Sequence, residues 1–293
     1  MRKVNYLFFG IFRLIACLPL RFFFFISPAV FFLLYYIIAY RKKVVFLNLR
    51  NAFPQKTKQE IKKIAKKFYW HLGDLIFENI KLFHYNQKQL VKHLSLKNGH
   101  ILDDDYKNDR NTILVSGHYN NWEMMLRHFD EIKHHNLAIY HPLQNKFIDK
   151  VLFDNRSKTG TEPVSMQNYL RRYIECNNNH ILTISWFIAD QTAPPESPFW
   201  TTFLNQDTPF FMGAEKLARK FNLPVYFMHM RKVKRGVYES EFTRLFDQPK
   251  DEPEFAITES IVRMLEKEII DDPQYWLWSH RRWKHKRPAV NQS

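Results

Sequence analysis

Glycine is scarce in this chain of 293 residues, with 7 in all, and cysteine is scarcer still, with 2. So little glycine excludes collagen-like and glycine-rich low-complexity classes. Cys17 and Cys176 share no local context that would start a disulfide framework, and they offer no spaced ligand cluster. No metal centre is therefore expected, and a reducing compartment fits. Repeats at solenoid periods are absent as well. Acidic residues are outnumbered, 29 against 44 Lys plus Arg, for a formal net charge of +15. That surplus favours anionic partners: nucleic acid, phospholipid head groups, phosphorylated lipids or an acidic carrier protein. It does not choose among them. What the chain has in excess is aromatic, 16% of all residues, with 27 Phe.

Many of those rings fall near the start. Phe22 to Tyr40 reads FFFFISPAVFFLLYYIIAY, without a charged residue. As a helix it would be roughly 28 Å long, close to the hydrocarbon thickness of a bilayer. Arg21 precedes it and Arg41, Lys42 and Lys43 follow, as head-group anchors do. A shorter apolar stretch, Tyr6 to Leu20, is interrupted by Arg13 and Pro19. The long run lacks a small-residue cleavage site, which argues against a signal peptide. A helix apolar all round is also rare outside large cores. A membrane anchor is expected over residues 1–43, either spanning or dipping into one leaflet.

Residues 44–293 are expected to form the remaining domain: a helical lead-in over 44–100, an α/β core over 110–270 and a basic, aromatic segment over 271–293. The lead-in carries NLRNAFP at Asn48 to Pro54, then a capping box, Thr57 to Glu60. Ile61, Ile64, Ala65, Phe68, Leu72, Leu75, Ile76, Ile80 and Phe83 follow at helical spacing, so one long amphipathic helix is expected. Strands are expected at Thr112–Ser116, Leu137–Tyr140, His180–Ile188 and Pro224–Met230. Helices are expected near 144–158, 166–176, 211–222 and 254–270. The alternation predicts an α/β fold with a mixed, mainly parallel sheet flanked by helices.

Chemistry is densest at Ser116-Gly117-His118-Tyr119-Asn120-Asn121-Trp122-Glu123. The segment begins where an apolar strand ends, the place where open α/β sheets present ligand and catalytic groups. Gly117 allows a sharp turn, and Asn120 or Asn121 can cap the next helix. Five residues separate His118 from Glu123, so a turn between them lets the carboxylate fold back onto one imidazole nitrogen. The other nitrogen is then free to act as a base, as acyl transfer to a hydroxyl requires. With 13 His in the chain, a His near a Glu is commonplace; its position after a strand and a glycine makes it a candidate.

GHYNNWE resembles the His-x-x-x-x-Asp/Glu motif of the lysophospholipid acyltransferase superfamily, above all the branch of bacterial lipid A late acyltransferases (lauroyl and myristoyl transferases). The resemblance continues in order along the chain: NLRNAFP, Tyr140 to Arg156 with Asn145 between, Asp190-Gln191, Phe210-Phe211-Met212-Gly213, and Pro273-Gln274-Tyr275-Trp276-Leu277-Trp278-Ser279-His280-Arg281-Arg282-Trp283-Lys284. Where that family usually has Tyr-Arg, this chain has Tyr140-His141. The resemblance implies an enzyme of the cytoplasmic face of the inner membrane, with no cofactor. It implies a donor acyl thioester on acyl carrier protein or coenzyme A, and a membrane lipid acceptor, first a lipid A precursor. Nucleic acid is not an expected partner.

Beyond the His118–Glu123 pair, the candidate substrate-binding residues are Arg156, Asp190, Gln191, Arg281 and Arg282. Arg156 can hold a phosphate or carboxylate bidentately, or be a solvated helix residue. Asp190 follows the strand ILTISWFIA, and could serve the site or only cap a turn. The run from His280 to Arg287 can be a solvated tail or a nucleic-acid patch, or, as Tyr275, Trp276 and Trp278 beside it indicate, lie near a membrane interface or the site's mouth. Two rival readings remain open: a non-catalytic, membrane-tethered binder of anionic lipid or polymer, and an acyl hydrolase using the same pair.

Overall fold

The computed structural model describes residues 10, 12–126 and 132–288. The expected apolar stretch Tyr6 to Leu20 and the last residues of the basic segment lie partly outside them. A mixed seven-stranded sheet, in the order β1-β9-β8-β2-β5-β3-β4, forms the centre. Its strands are β1 (Leu94–Leu96), β2 (Thr112–Ser116), β3 (His135–Tyr140), β4 (Thr161–Ser165), β5 (Thr183–Ile188), β8 (Val225–Lys234) and β9 (Val237–Phe246). Every neighbouring pair runs parallel except the β8–β9 hairpin. A separate antiparallel ribbon joins β6 (Trp200–Phe203) to β7 (Gln206–Pro209).

The chain builds this sheet because its central strands are apolar on both faces. All five residues of β2 are buried. Ile113 and Val115 point into one hydrophobic cluster and Leu114 into the other. Such a strand needs cover on both sides, as parallel sheets have. One face is covered by α7 (Gly213–Phe221) and α8 (Ala256–Asp271). The other is covered in part by α4 (Trp122–Met125), through Met124 and Met125. Between strands run α5 (Lys146–Arg156) and α6 (Tyr169–Asn178).

Ahead of the sheet stand α1 (Leu20–Phe32), which passes into a π-helical turn over Leu33–Ile37, then α2 (Lys42–Ala52) and α3 (Lys58–Leu82). Leu20–Ile37 is, among the described residues, the one helix long and apolar enough to cross a membrane. The capping box of α3 is present: Glu60 N–H donates to Thr57 Oγ1 (3.3 Å) and Thr57 N–H to Glu60 Oε2 (2.7 Å). Its buried side is less apolar than its pattern predicts. His71, Asp74, Glu78 and Lys81 are all buried there, because α1 and the sheet close over them.

Several strands differ from expectation. β5 begins at Thr183, not His180, because His180 takes a left-handed backbone (φ 55°) that ends α6. β8 extends to Lys234 and turns into β9, whose alternation in VYESEFTRLF places Tyr238, Ser240 and Phe242 inward. β4 carries Pro163 and occupies a sheet edge, where a missing N–H is tolerated. Gly117 does not need glycine for a left-handed backbone, since its φ is not positive. Space is the constraint. A Cβ there would lie 2.5 Å from Leu265 Cδ1 and 3.4 Å from Asp190 Oδ2, and Leu265 is fully buried in α8. Gly117→Ala should therefore cost about 1–3 kcal/mol through overpacking. Urea unfolding would read this as a lowered midpoint with unchanged slope; an unchanged midpoint would mean that Leu265 yields freely.

Candidate active site

Register in the sheet creates the site. β2 and β5 are parallel neighbours with Ser116 opposite Ile188, and Ala189 N–H continues the ladder to Ser116 O at 2.8 Å. Two residues beyond each strand end come His118 and Asp190, which therefore stand side by side. His118 Nδ1 lies 2.7 Å from Asp190 Oδ1, and the His118 backbone N–H donates to Asp190 Oδ2 at 2.9 Å. The Trp276 indole N–H donates to the same Oδ2 at 2.7 Å. Asp190 is 2% exposed.

The carboxylate holding the imidazole is thus Asp190, not Glu123 as the five-residue spacing predicts. Glu123 sits in the first turn of α4, and its carboxylate is gripped by Arg156 from the last turn of α5. Arg156 Nε donates to Oε2 at 3.0 Å, and Nη2 donates to Oε1. A bidentate guanidinium is a stronger partner for Glu123 than a neutral ring nitrogen. Arg156 is accordingly neither a solvated helix residue nor a free anion ligand, and its guanidinium also lies 5.9 Å from the Tyr140 ring. Asn121 caps α4, accepting from Met124 N–H at 3.1 Å. Asn120 instead takes a left-handed backbone (φ 51°) and donates to Met230 O at 2.7 Å.

The electrostatics follow from these contacts. Burial alone would raise the Asp190 pKa, but the His118 ring, its backbone N–H and Trp276 overcome that and hold the carboxyl well below its usual range. Burial alone would lower the His118 pKa, yet the Asp190 charge and hydrogen bond, aided by the nearby Glu123 charge, leave it raised above 6.5. With Nδ1 occupied by Asp190, the other nitrogen, Nε2, has no hydrogen-bond partner among the described residues. His118 lines two cavities.

The first cavity, of about 330 Å³, is walled by His118, Trp122, Glu123, Tyr140, His141 and Arg156. The second, about 450 Å³, is open and basic: Arg41, His280, Arg281 and Lys284 face His118 across it. A third, about 190 Å³, is apolar and lies on the opposite face of the sheet, among Val115, Ile139, Phe187, Leu217 and Ile261. Gln191 lines all three. Of the two C-terminal arginines, Arg281 reaches the basic cavity but Arg282 does not. Arg282 is 0% exposed. It donates to Pro209 O at 2.6 Å and lies 4.5 Å from the Phe210 ring. Burial pulls its pKa down to about 10. In place of the expected substrate contact, Arg282 forms an internal brace.

Motifs whose role was unassigned fall into place around this centre. Asn48, of NLRNAFP, donates to Trp278 O (2.9 Å) and His280 O (3.0 Å), fixing the C-terminal segment over the site. Arg41 donates to Ser279 O at 3.0 Å. Tyr119 bridges to Trp276, and Asn120 N–H donates to Tyr275 O at 3.0 Å. These long-range partners of Trp276 and Asn48 carry no local sequence signal beyond the aromatic density of the last block.

The family model described as bacterial lipid A biosynthesis acyltransferase matches residues 1–285. The lipid A biosynthesis lauroyltransferase of Escherichia coli (strain K12) is 22% identical over 256 residues, 85% of this chain and 81% of that protein. The lipid A biosynthesis acyltransferase of Haemophilus influenzae (strain ATCC 51907 / DSM 11121 / KW20 / Rd) is 22% identical over 247 residues, 83% of this chain and 78% of its own. With the family match running through the sheet, the histidine loop and the C-terminal block alike, this chain belongs to the bacterial lipid A biosynthesis acyltransferase family and is a transferase.

Proposed function

We propose that the chain moves a fatty acyl group from an acyl thioester, on acyl carrier protein or coenzyme A, to a hydroxyl or amine of a membrane lipid. A lipid A precursor is the first acceptor to test, on the cytoplasmic face of the inner membrane. The observation that carries this reading is the His118–Asp190 contact of 2.7 Å. A buried carboxylate on Nδ1 fixes the tautomer that leaves Nε2 unprotonated and able to accept a proton.

The acceptor hydroxyl gives its proton to His118 Nε2 as its oxygen attacks the thioester carbonyl carbon. The tetrahedral adduct collapses with cleavage of the C–S bond, and the imidazolium returns the proton to the departing sulfur. Asp190 and the nearby Glu123 stabilise the imidazolium between these steps. Gln191, at the junction of the three cavities, is suited to donate its amide N–H to the carbonyl oxygen as negative charge develops there. The apolar cavity suits the acyl chain. The basic cavity suits phosphate, whether on the acceptor or on the donor's carrier arm. In this scheme Arg156 is a positioning residue that acts through Glu123.

His118→Ala should lower kcat/KM on the order of a hundredfold or more, since it removes the base. Mass spectrometry of the lipid product from acyl carrier protein thioester and lipid A precursor measures this. A rate near wild type would remove His118 from the chemistry.

Because the base must be neutral and its pKa is raised, kcat/KM should fall as pH drops through a value above 6.5. Asp190→Asn, which deletes the charge that lifts this pKa, should move the acid limb downward while lowering the rate. Glu123→Gln should move it the same way by less, since it deletes a weaker contribution. A limb that stays put in Asp190→Asn would mean that another group titrates.

The two arginines should separate. Arg281→Gln should raise KM in a salt-dependent way, as screening of an exposed cation predicts. Arg282→Gln should instead lower stability by about 1–3 kcal/mol, by orphaning the buried Pro209 carbonyl. Equal KM effects from both would put Arg282 at the substrate.

A further inference from the structure

Leu20–Ile37 has the length and composition of a membrane-spanning helix, but its surroundings do not suit a span. It packs antiparallel along α3 for its whole length. Phe23 stacks on Phe77 (5.0 Å between ring centroids), Phe31 packs on Trp70 (5.3 Å) and Tyr35 on Tyr69 (5.3 Å). Just before the helix, Lys81 Nζ donates to Ala16 O and Leu18 O at 2.7 and 2.8 Å. Just after it, Tyr69 donates to Tyr40 O at 2.6 Å. The helix is therefore laid on the domain's flank and does not project from it.

Charge accompanies it along that flank. Ser27 is fully buried and donates to Asp74 Oδ1 at 2.6 Å. Asp74 also accepts from Arg235 Nη2 at 2.6 Å, with Lys232 at 3.6 Å. Arg235, at the β8–β9 turn, has a side chain 36% exposed and a guanidinium 4.3 Å from the Phe24 ring. Toward the other end, Lys66 Nζ is 6.0 Å from the Tyr36 ring, and Lys62, Lys63 and Lys67 are exposed on the same α3. If the helix crossed a bilayer, Arg235 would face hydrocarbon within a few turns of its middle, where an ionised side chain is costly. Were it to lie flat, every one of these charges would sit at head-group height.

The face turned away from α3 is apolar throughout. Phe22, Phe25, Phe32, Leu33, Tyr36 and Ile37 are 46, 83, 54, 44, 49 and 64% exposed. Their spacing by threes and fours draws one stripe along the helix. Exposed Arg21 lies at its start and exposed Arg41 and Lys43 follow its end, the pattern of a helix resting in an anionic interface. We propose that Leu20–Ile37 does not span the membrane but lies in the plane of a phospholipid surface, seated on α3, with this stripe sunk among the acyl chains. The occupant of the stripe is lipid. The chain is then held by one leaflet, and Arg41, which follows the helix and lines the basic cavity with His118, sets that cavity at head-group level. The proposal rests on α1 and α3 and stands apart from the acyl-transfer reading.

Nitroxide labels on Cys introduced singly at Phe22, Phe25, Leu33 and Ile37, with Cys17→Ser, test it in the full chain. The chain is bound to vesicles of phosphatidylethanolamine and phosphatidylglycerol, and collision rates with oxygen and with a water-soluble nickel chelate report depth. An in-plane helix gives all four labels a similar shallow depth, within about 5–10 Å of the head groups. A depth that rises toward the middle of the helix and falls again at the other end would overturn it in favour of a span. Labels with no excess of oxygen over chelate collisions would overturn it in favour of a stripe covered by a second copy of the chain. A second measurement uses native Cys17, which is exposed. Added to preformed sealed vesicles, the protein should react with an impermeant maleimide at Cys17 as fully as at Lys43→Cys. Reaction at Cys17 only after detergent would likewise overturn the proposal.

Discussion

A carboxylate taken out of water must be met by donors, and Asp190 organises the molecule by that requirement. Its oxygens collect the His118 backbone N–H, the His118 ring and the Trp276 indole N–H. An uncompensated charge at this depth would be strongly destabilising. The three donors come from the end of β2 and from the C-terminal block, while the carboxylate comes from the end of β5. Satisfying one charge therefore joins three distant parts of the chain. The imidazole is oriented as a by-product of that satisfaction, without any helix or loop devoted to it.

Around this centre the sheet separates two environments. One face carries the cavity in which the Glu123–Arg156 pair stands among apolar walls such as Leu126, Leu143 and Leu152, and the other carries the apolar cavity beneath α7 and α8. Side chains of β3 and β5 divide between them only in part: Ala138 and Trp186 line the first and Phe187 the second, while Ile139, Tyr140 and Ile188 border both. Substrates with one charged and one greasy part fit such a boundary. The Glu123–Arg156 pair is an ion pair, so the cavity it lines gains an oriented dipole and not a second unpaired charge.

Much of this was legible in the sequence, for reasons that can be named. β2 was visible because TILVS is apolar on both faces, and α3 because a capping box precedes a 3.6-residue stripe. Asp190 was visible because it follows an apolar strand, but its partner was not. Sequence spacing reports neighbours along the chain, whereas the dyad arises from register between parallel strands separated by 72 residues. Glu123 looked like the partner for the same reason, and only the arrival of α5 brings Arg156 to claim it. Arg282 read as a substrate contact because its local sequence is basic. Its burial depends on the β6–β7 ribbon, which no local pattern of QTAPPESPFW announces. The short or edge strands β1 and β4 were hidden by length and by Pro163.

The pin between Asn48 and the Trp278–His280 backbone spans up to 232 residues. Proteins are made from the amino end, so the chain emerges with its interfacial helix first and its last aromatic block last. Until Trp276 has left the ribosome, Asp190 lacks one of its three donors and the basic cavity lacks His280, Arg281 and Lys284. A nascent chain can therefore meet the membrane surface well before its histidine is fully set. Emergence of the Trp276–Lys284 block, and not arrival at the lipid, is the event that finishes the site.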